Sequence, residues 1–358
     1  MTGRLLAGML AGLGVMQLVA SCSADGIHGL EVVDQSLITF NAVAAKNASR
    51  GDVTTTVTIR DFVVTAYANG KILMDHVTVS RDGAQWTYSP AAYWPDVPVN
   101  FYAVSPADMV DSPDITGAGT GTASIEGYNN PGNVDLLYAV NYGEIQTGSP
   151  VVINFRHALS KVDVMLSSAN SEIVVKVKNV KIGNVCSQGS FYYPRQTTAA
   201  DNAVSGYWHS QTLIGDVTLL SSDEGLVLTP DVADVSENEQ GKDIDFFIPQ
   251  ELGALSYDAS DKVFTGAYIA VDCEIFDKAT GGKLFPGTHT PDYILVPGTD
   301  CGRIMYPASG KSVTEWKIGY SYVYDIKIDN PAVLFDGIEF GVTVDEFADG
   351  NASESPSM

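Results

Sequence analysis

The chain has 358 residues, with 20 Lys and Arg against 43 Asp and Glu, and its formal net charge is −23 at pH 7. A surface this acidic repels phosphate backbones, so the composition argues against a nucleic-acid partner. A hydrophobic content of 45% excludes general disorder, and the length favours two domains over one.

The N-terminal segment has the pattern of an export signal. After one basic residue, an apolar stretch covers residues 5–19, about the length of a signal-peptide core and too short for a comfortable membrane span. It ends in Ala20-Ser21-Cys22, small residues before a cysteine, as in a lipobox. We predict a signal peptide over 1–21, a membrane-anchoring lipid on the thiol of Cys22 and a tether over 22–36. An ordinary signal peptide that precedes a cysteine by chance is the alternative.

Beyond the tether, the sequence is typical of β-strands. Short runs of β-branched and aromatic residues alternate with polar ones, and Gly, Pro, Asn and Asp separate the runs. No segment predicts a helix of three turns, so we expect an all-β fold. The principal predicted strands cover 38–42, 62–67, 72–79, 99–103, 136–140, 151–155, 159–166, 173–180, 217–220, 267–275, 322–328 and 338–344.

Turn-rich stretches divide this series. Residues 111–133 are rich in Gly, Thr, Ser, Asn and Pro and predict a long loop, and a small polar run near residue 169 predicts an inter-domain link. We therefore expect an N-terminal β-domain over 37–168, a C-terminal β-domain over 169–347 and a disordered tail over 348–358.

The first and last predicted strands have the same apolar pattern. Ile38, Phe40, Ala42 and Ala44 share one face of the first strand, and the last strand presents Ile338, Phe340, Val342 and Val344 in the same way. The two strands could fill one groove in turn, which makes the first a displaced strand and the last a donor. The alternative is that each is an ordinary core strand of its own domain.

A small polar linker, residues 47–52, follows the first strand and contains Arg50-Gly51-Asp52. Such linkers are preferred sites of proteolysis, and Arg50 is the only basic residue between Lys46 and Arg60. We predict cleavage between Arg50 and Gly51 by an arginine-specific protease. An integrin-binding role of the same tripeptide is the alternative, and cleavage would destroy it.

No pattern in the sequence indicates catalysis. The five histidines lie outside metal-binding spacings, no nucleophile motif occurs, and His157 has no evident partner nearby in the sequence. We expect no enzyme activity, no metal and no cofactor. Besides Cys22 the chain has Cys186, Cys273 and Cys301; one internal disulfide at most can form, with Cys273–Cys301 favoured by proximity, and three buried thiols are the alternative.

Four stretches, in order along the chain, resemble the fimbrillin family, the subunits of type V pili. They are Phe62–Tyr67, Tyr93–Pro95 followed by Phe101–Pro106, Phe155–Val162 and Trp316–Tyr324. The resemblance implies two tandem transthyretin-like β-sandwich domains of Greek-key type and lipoprotein export to the outer membrane. It further implies removal of an N-terminal strand and donor-strand assembly with other pilus subunits, in a fimbrium that supports cell adhesion.

Two other functions stay open at this point. One is a monomeric, lipid-anchored surface protein that binds a glycan or a host protein in its loops. The other is an anchor or tip subunit of the same pilus, which would lack either cleavage or strand donation. Aromatic side chains at Trp316, Tyr320, Tyr322 and Tyr324 would serve as a sugar-stacking platform only if exposed; we expect them to pack in the core and at its rim.

Overall fold

The computed structural model describes residues 36–44, 54–55, 58–110, 115–116, 123–197, 206–236, 244–330 and 340–346. These residues form strands and two short 3-10 turns, Ala107–Val110 and Asp292–Ile294. The strands of the first half are β1 (Phe40–Val43), β2 (Asp61–Ala68), β3 (Lys71–Asp82), β4 (Gln85–Tyr88), β5 (Val99–Ser105), β6 (Ile115–Thr116), β7 (Ser124–Asn129), β8 (Leu137–Glu144), β9 (Val151–Asn154) and β10 (Arg156–His157). The predicted all-β class is confirmed.

The second half contains fourteen further strands in the described residues. They are β11 (Ser160–Ser167), β12 (Ile173–Tyr192), β13 (Tyr207–Val227), β14 (Ala233–Asp234), β15 (Phe246–Phe247), β16 (Gln250–Glu251), β17 (Ser256–Asp258), β18 (Val263–Thr265), β19 (Tyr268–Asp277), β20 (Lys283–Phe285), β21 (Gly302–Pro307), β22 (Glu315–Trp316), β23 (Tyr320–Lys327) and β24 (Phe340–Glu346).

The first half is a six-stranded sheet covered on one face by a two-stranded one. The larger sheet has the order β10-β8-β5-β2-β3-β4, and the smaller sheet is β1 with β9. Alternate residues of β2 and β5, such as Phe62, Val64 and Phe101, are buried against β1 and β9 and form the core of this half. The β2–β3 hairpin turns at Asn69-Gly70, where both residues have positive φ, as the sequence predicts for a tight Asn-Gly turn.

The second half is a sandwich of two larger sheets. One contains β14-β11-β23-β24 with β15 added at β11, and the other contains β20-β19-β12-β7-β6 with β13 on β12 and β21 on β19. Their facing side chains, including Val164, Val180, Val271 and Tyr324, form one continuous core. This arrangement is consistent with the expected β-sandwich architecture.

A third apolar cluster joins the two halves. Tyr102 and Tyr138, on the outer face of the six-stranded sheet, pack with Phe191 of β12, Ile125 of β7 and Phe246 of β15. The Tyr138 and Phe191 rings are 4.6 Å apart between centroids. Because these residues are buried, the halves share an apolar interface.

Three strands that precede the domain boundary expected at 168/169, namely β6, β7 and β11, lie in the sheets of the second half. Strand β11 pairs in parallel with β23, from Lys161↔Ser321 to Ser167↔Lys327, and its apolar residues are buried in the core of the second half. Strand β7, inside the stretch 111–133 predicted to be a loop, pairs with β12. Strand β11 therefore packs with the second half although it precedes the expected boundary, and the stretch expected to be a loop contains β6 and β7. The physical reason is that alternation marks a strand but does not identify its partner.

Candidate strand-exchange site

The N-terminal segment, residues 36–44, lies in a groove on the first half, between β9 and the loop after β4. We call this groove the seat of the segment. Ile38, Phe40, Ala42 and Ala44 are all buried, at 0%, 4%, 3% and 0% exposure. The intervening Thr39 and Asn41 are exposed. The face predicted from the sequence is therefore the one that faces the core.

Phe40 occupies the centre of this seat. Its ring makes edge-on contacts with Phe62, Tyr88 and Phe101, with centroid distances of 5.9, 5.5 and 5.7 Å. Aromatic pairs in this geometry contribute beyond the area that they bury. The segment thus fills a hole that its neighbours cannot close.

Strand β9 holds one side of the segment. Strand β1 pairs in parallel with β9, from Phe40↔Val151 to Val43↔Asn154. The N–H groups of Val151 and Phe155 donate to the carbonyls of Thr39 and Val43, both at 2.8 Å. Within the described residues β9 has no other strand partner, so removal of β1 would leave the backbone of β9 unpaired.

The other side is held by the loop after β4. The N–H of Ile38 donates to the Ala92 carbonyl at 2.9 Å, and the N–H of Trp94 donates to the Ser36 carbonyl at 3.1 Å. The Tyr88 hydroxyl donates to the Ile38 carbonyl at 2.7 Å. Since backbone partners line both sides, the seat is a strand-shaped groove.

Three predicted site residues near the N-terminus lie outside the described part of the chain. They are Cys22, the predicted lipid site, and Arg50 and Gly51, the predicted cleavage site. Both assignments stay predictions. Downstream of the linker, the N–H of Thr54 donates to a carboxylate oxygen of Asp135 at 2.7 Å, which fixes the chain to the first half soon after the predicted cut.

The C-terminal strand pairs within its own chain. Strand β24 is antiparallel to β23 and ends its sheet. The register sets Phe340, Val342 and Val344 opposite Ile326, Tyr324 and Tyr322. Ile338 lies outside the described residues. The structure brings the candidate donor and the displaced strand to different halves, so exchange requires β24 to leave β23.

The Phe155–Val162 motif contributes to two buried ionic clusters, one in each half. Nδ1 of His157 is 2.9 Å from a carboxylate oxygen of Asp135, with both side chains buried. Four residues later, Lys161 contacts Asp163 at 2.5 Å and Asp245 at 2.9 Å. Sequence reasoning missed these partners because Asp135 and Asp245 lie far from the motif along the chain. Burial of the His157–Asp135 pair indicates a structural role.

Burial and charge have opposite effects on the pKa values of the Lys161–Asp245 pair. Burial raises the pKa of Asp245 to about 6, with Lys161 opposing and Asp163 and Asp135 adding to the increase. Burial alone would lower the pKa of Lys161, but Asp245 and Asp163 outweigh it and raise that pKa above its ordinary value.

The aromatic motif of the last quarter is core, as predicted. Trp316, Tyr322 and Tyr324 are almost completely buried, and Tyr320 packs at the edge of the same cluster. The Trp316 indole donates to the Tyr324 hydroxyl at 3.0 Å, and that hydroxyl donates to the Ala308 carbonyl at 2.8 Å. The three buried rings of Trp316, Tyr322 and Tyr324 are not available to stack on a sugar.

The predicted Cys273–Cys301 disulfide is not present. Cys186, Cys273 and Cys301 are free thiols, and Cys273 and Cys301 are buried. Cys273 lies opposite Gly302 in the β19–β21 pair, and Cys301 is the residue before Gly302, so the two cysteines lie near each other. Burial raises the pKa of the Cys301 thiol, which disfavours the reactive thiolate.

The described residues contain no cluster of three or more His, Cys, Asp or Glu side chains suited to a metal ion. The same part of the chain includes no helix long and apolar enough to cross a membrane.

Comparisons with known proteins agree with the motif resemblance. A family model described as fimbrillin-like matches residues 45–345, which confirms the predicted family. Overall similarity extends to a fimbrial protein from Bacteroides vulgatus, with 12% identity over 87% of this chain and 99% of that chain at a TM-score of 0.46. A fimbrilin from Porphyromonas gingivalis is 10% identical over 90% of this chain and 100% of that chain, at a TM-score of 0.44. No curated protein matches the sequence. Since both TM-scores are below 0.5, the family assignment rests on the sequence match.

Proposed function

Because the chain belongs to the fimbrillin-like family, we propose that it is a structural subunit of a surface fimbria, exported as a lipoprotein and assembled by strand exchange. The family supports the subunit role and a place at the cell surface. The lipid on Cys22, the outer-membrane stage, the protease and the exchange itself are the finer parts of the proposal.

The observation that carries strand exchange is the seat of residues 36–44. Four side chains of this short segment are buried in the seat. The strand that pairs with the segment, β9, has no other strand partner among the described residues. Loss of the segment would expose aromatic core residues and a free strand edge together. An incoming strand with the same apolar spacing relieves both, which is β-augmentation.

The C-terminal strand has that spacing. Placed in the direction of β1, it would set Phe340 in the Phe40 site and Val342 in the Ala42 site, with Gly341 at the exposed position of Asn41. As the terminal strand of its sheet it separates from one neighbour only, β23. In the exchange, β24 therefore loses its pairing with β23 and is buried in the groove of the next subunit.

A cysteine crosslink tests the proposal and its register. Asn41 pairs with Val152 in the β1–β9 ladder, so Gly341→Cys and Val152→Cys should form a disulfide between subunits once the chain begins at Gly51. The ladder of crosslinked species should be absent in the uncleaved chain, where β1 occupies the seat. Thr343→Cys with Val152→Cys is the matched control, two positions out of register. Equal crosslinking of the control, or a chain from Gly51 that stays monomeric, would count against strand exchange.

One observation favours a second function, a lipid-anchored binding protein that stays monomeric. Strand β24 already completes its own sheet, so the chain as folded needs no neighbour. The N-terminal sequence of the protein in sheared surface material separates the two. A start at Gly51 supports the fimbrial subunit, and a lipidated start at Cys22 supports the monomer or an anchor subunit.

A further inference from the structure

Strand β9, which pairs with the N-terminal segment, has a second edge. The N–H groups of Val151 and Phe155 point to β1. Successive residues of a strand direct their backbone groups to opposite edges, so those of Val152 and Asn154 face away from β1. No other strand pairs with this edge within the described residues. Since even a two-stranded sheet is only marginally stable by itself, contacts other than strand pairing must hold β9 once β1 has left.

One such contact comes from Asn141, on the neighbouring strand β8. Its side chain is buried, with 3% exposure, and its amide nitrogen Nδ2 donates to the Val152 carbonyl at 3.0 Å. The same nitrogen donates to a carboxylate oxygen of Glu144 at 2.9 Å, which fixes the orientation of the amide. The Asn141 side chain therefore satisfies a backbone carbonyl that a neighbouring strand would otherwise satisfy.

A second contact comes from Asn154 of β9 itself. This side chain is also buried, at 2% exposure, and its Nδ2 donates to the Thr197 carbonyl at 2.6 Å. Thr197 is completely buried and bonds to β8. Its N–H donates to the Val140 carbonyl, and its hydroxyl oxygen accepts from the Val140 N–H, both at 2.9 Å. Asn154 and Thr197 thus connect β9 to β8 through a segment that belongs to neither strand.

The second half of the molecule holds Thr197 in place. Thr197 follows soon after the end of β12, a strand whose inward side chains belong to the core of the second half. Between β12 and Thr197, the Tyr193 ring packs against Tyr102 and Tyr138 of the first half, with centroid distances of 5.8 and 5.9 Å. Ring contacts between the halves therefore fix the path of the chain from β12 to Thr197.

We propose that Asn141, Asn154 and Thr197, which we call the brace, are positioning residues that keep β9 ordered as a strand acceptor when β1 has left. This inference rests on the strand exchange proposed above, and it adds the residues that keep the empty seat ready for a donor. The brace bonds to the edge of β9 opposite β1, so none of these hydrogen bonds breaks when the segment leaves. The inward side chains of β9, Val151 and Ile153, belong to the core of the first half.

An ordered acceptor determines how fast a strand is captured. If β9 were disordered in the empty seat, capture would have to wait until β9 became ordered. The apparent affinity for the strand would then fall with the fraction of molecules in which β9 is in place. The hydrogen bonds of the brace involve β8 and β9 but no residue of the segment 36–44. Loss of the brace should therefore slow association of a strand and change its dissociation little.

The test uses the chain from residue 23 with Ile38→Asp and Phe40→Asp, here called the parent. The two changes keep the segment out of the seat, because unpaired carboxylates are too costly to bury there. The probe is a fluorescent peptide of residues 36–44 with the natural sequence, the strand that occupies the seat in the structure. Stopped-flow anisotropy measures its association and dissociation rates. Asn141→Leu and Asn154→Leu should each slow association roughly tenfold to a hundredfold, as expected for the loss of one buried hydrogen bond.

Matched variants separate positioning from general stability. Asn100→Leu also removes an amide bonded to β8, which accepts from the Gly143 N–H at 2.8 Å, and it should leave the association rate at the parent value. Thr197→Val removes the hydroxyl bonded to Val140 and should slow association, whereas Thr197→Ser keeps that hydroxyl and should retain the parent rate. Titration to saturation should give the same fraction of binding chains in every variant, which shows that all are folded.

The outcomes distinguish the brace from strand exchange itself. Association as fast in Asn141→Leu and Asn154→Leu as in the parent would overturn the brace, and so would a change confined to dissociation. Equal association rates of Thr197→Ser and Thr197→Val would do the same. A parent chain that does not bind the peptide at all would instead overturn the proposed strand exchange, because the empty seat would then accept no strand.

Discussion

Replacing Phe40 by alanine probes the seat of the N-terminal strand directly. The side chain is 4% exposed and touches three aromatic rings, so truncation leaves a hole among rigid neighbours that cannot collapse into it. Phe→Ala at such positions costs about 3–5 kcal/mol of unfolding free energy. For a domain of 150–250 residues, at about 2–4 °C per kcal/mol, this loss of unfolding free energy lowers Tm by roughly 6–20 °C.

The effect should depend on whether the segment is present. In the unprocessed chain, Phe40→Ala should lower the stability of the first half, measured by denaturant unfolding with tryptophan fluorescence, because Trp86 and Trp94 belong to or pack against this core. Thr39→Ala is the matched control, since Thr39 is an exposed neighbour on the opposite face of the same segment. The control should change stability by less than about 0.5 kcal/mol.

A second readout links the seat to exchange. If the first strand must leave before a donor enters, weakening it should speed its displacement and its capture by a donor strand. The reasoning is refuted if Phe40→Ala is as stable as the wild type and Thr39→Ala, since the segment would then contribute nothing to the core. It is equally refuted if the unstable variant exchanges no faster.

The remaining predictions concern the lipid anchor, the cleavage site, the donor strand and the buried Lys161–Asp245 ion pair. Cys22→Ser should release the precursor from outer-membrane fractions, because the thiol is the only acyl acceptor of the lipobox; unchanged fractionation would contradict the lipid assignment. Arg50→Ala should leave residues 37–49 attached in mass spectra of surface material, unlike Lys46→Ala. Phe340→Ala should reduce assembly if β24 is a donor; a loss of monomer Tm alone, by the cost of a core Phe→Ala, would assign β24 to its own sheet. Asp245 has a folded pKa above its unfolded value, so its proton stabilises the folded state below about pH 4, and that contribution is lost as pH rises through about 6. The free energy of unfolding of the wild type, relative to that of Asp245→Asn, should therefore fall between pH 4 and pH 7. Denaturant titration at each pH measures it, and a rise would contradict the raised pKa of Asp245.

Local patterns in the sequence determined the strands and their inward faces. Alternation identified Ile38, Phe40, Ala42 and Ala44 as one face, and all four are buried. The reason is that successive side chains point to opposite faces of a strand whatever its partner. A strand with one buried and one solvent-exposed face therefore has alternating apolar and polar residues. The four ordered motifs likewise indicated the family that the sequence match confirms.

The same rule explains the strand that sequence reasoning missed. The first half of β13 is largely exposed on both faces, so its residues do not alternate in polarity and only residues 217–220 were predicted. A strand without a buried face leaves no period-two signal.

Partners were decided by the tertiary structure alone. Nothing in the sequence of β11 places it beside β23, and nothing near His157 or Lys161 points to Asp135 or Asp245. Nor does the first strand reveal that its seat lies between β9 and the loop at Ala92. Strand pairing and burial of charges are contacts between distant segments, whose selection depends on how whole sheets pack. The sequence by itself therefore determined which residues turn inward, and the packing of the sheets determined what they meet there.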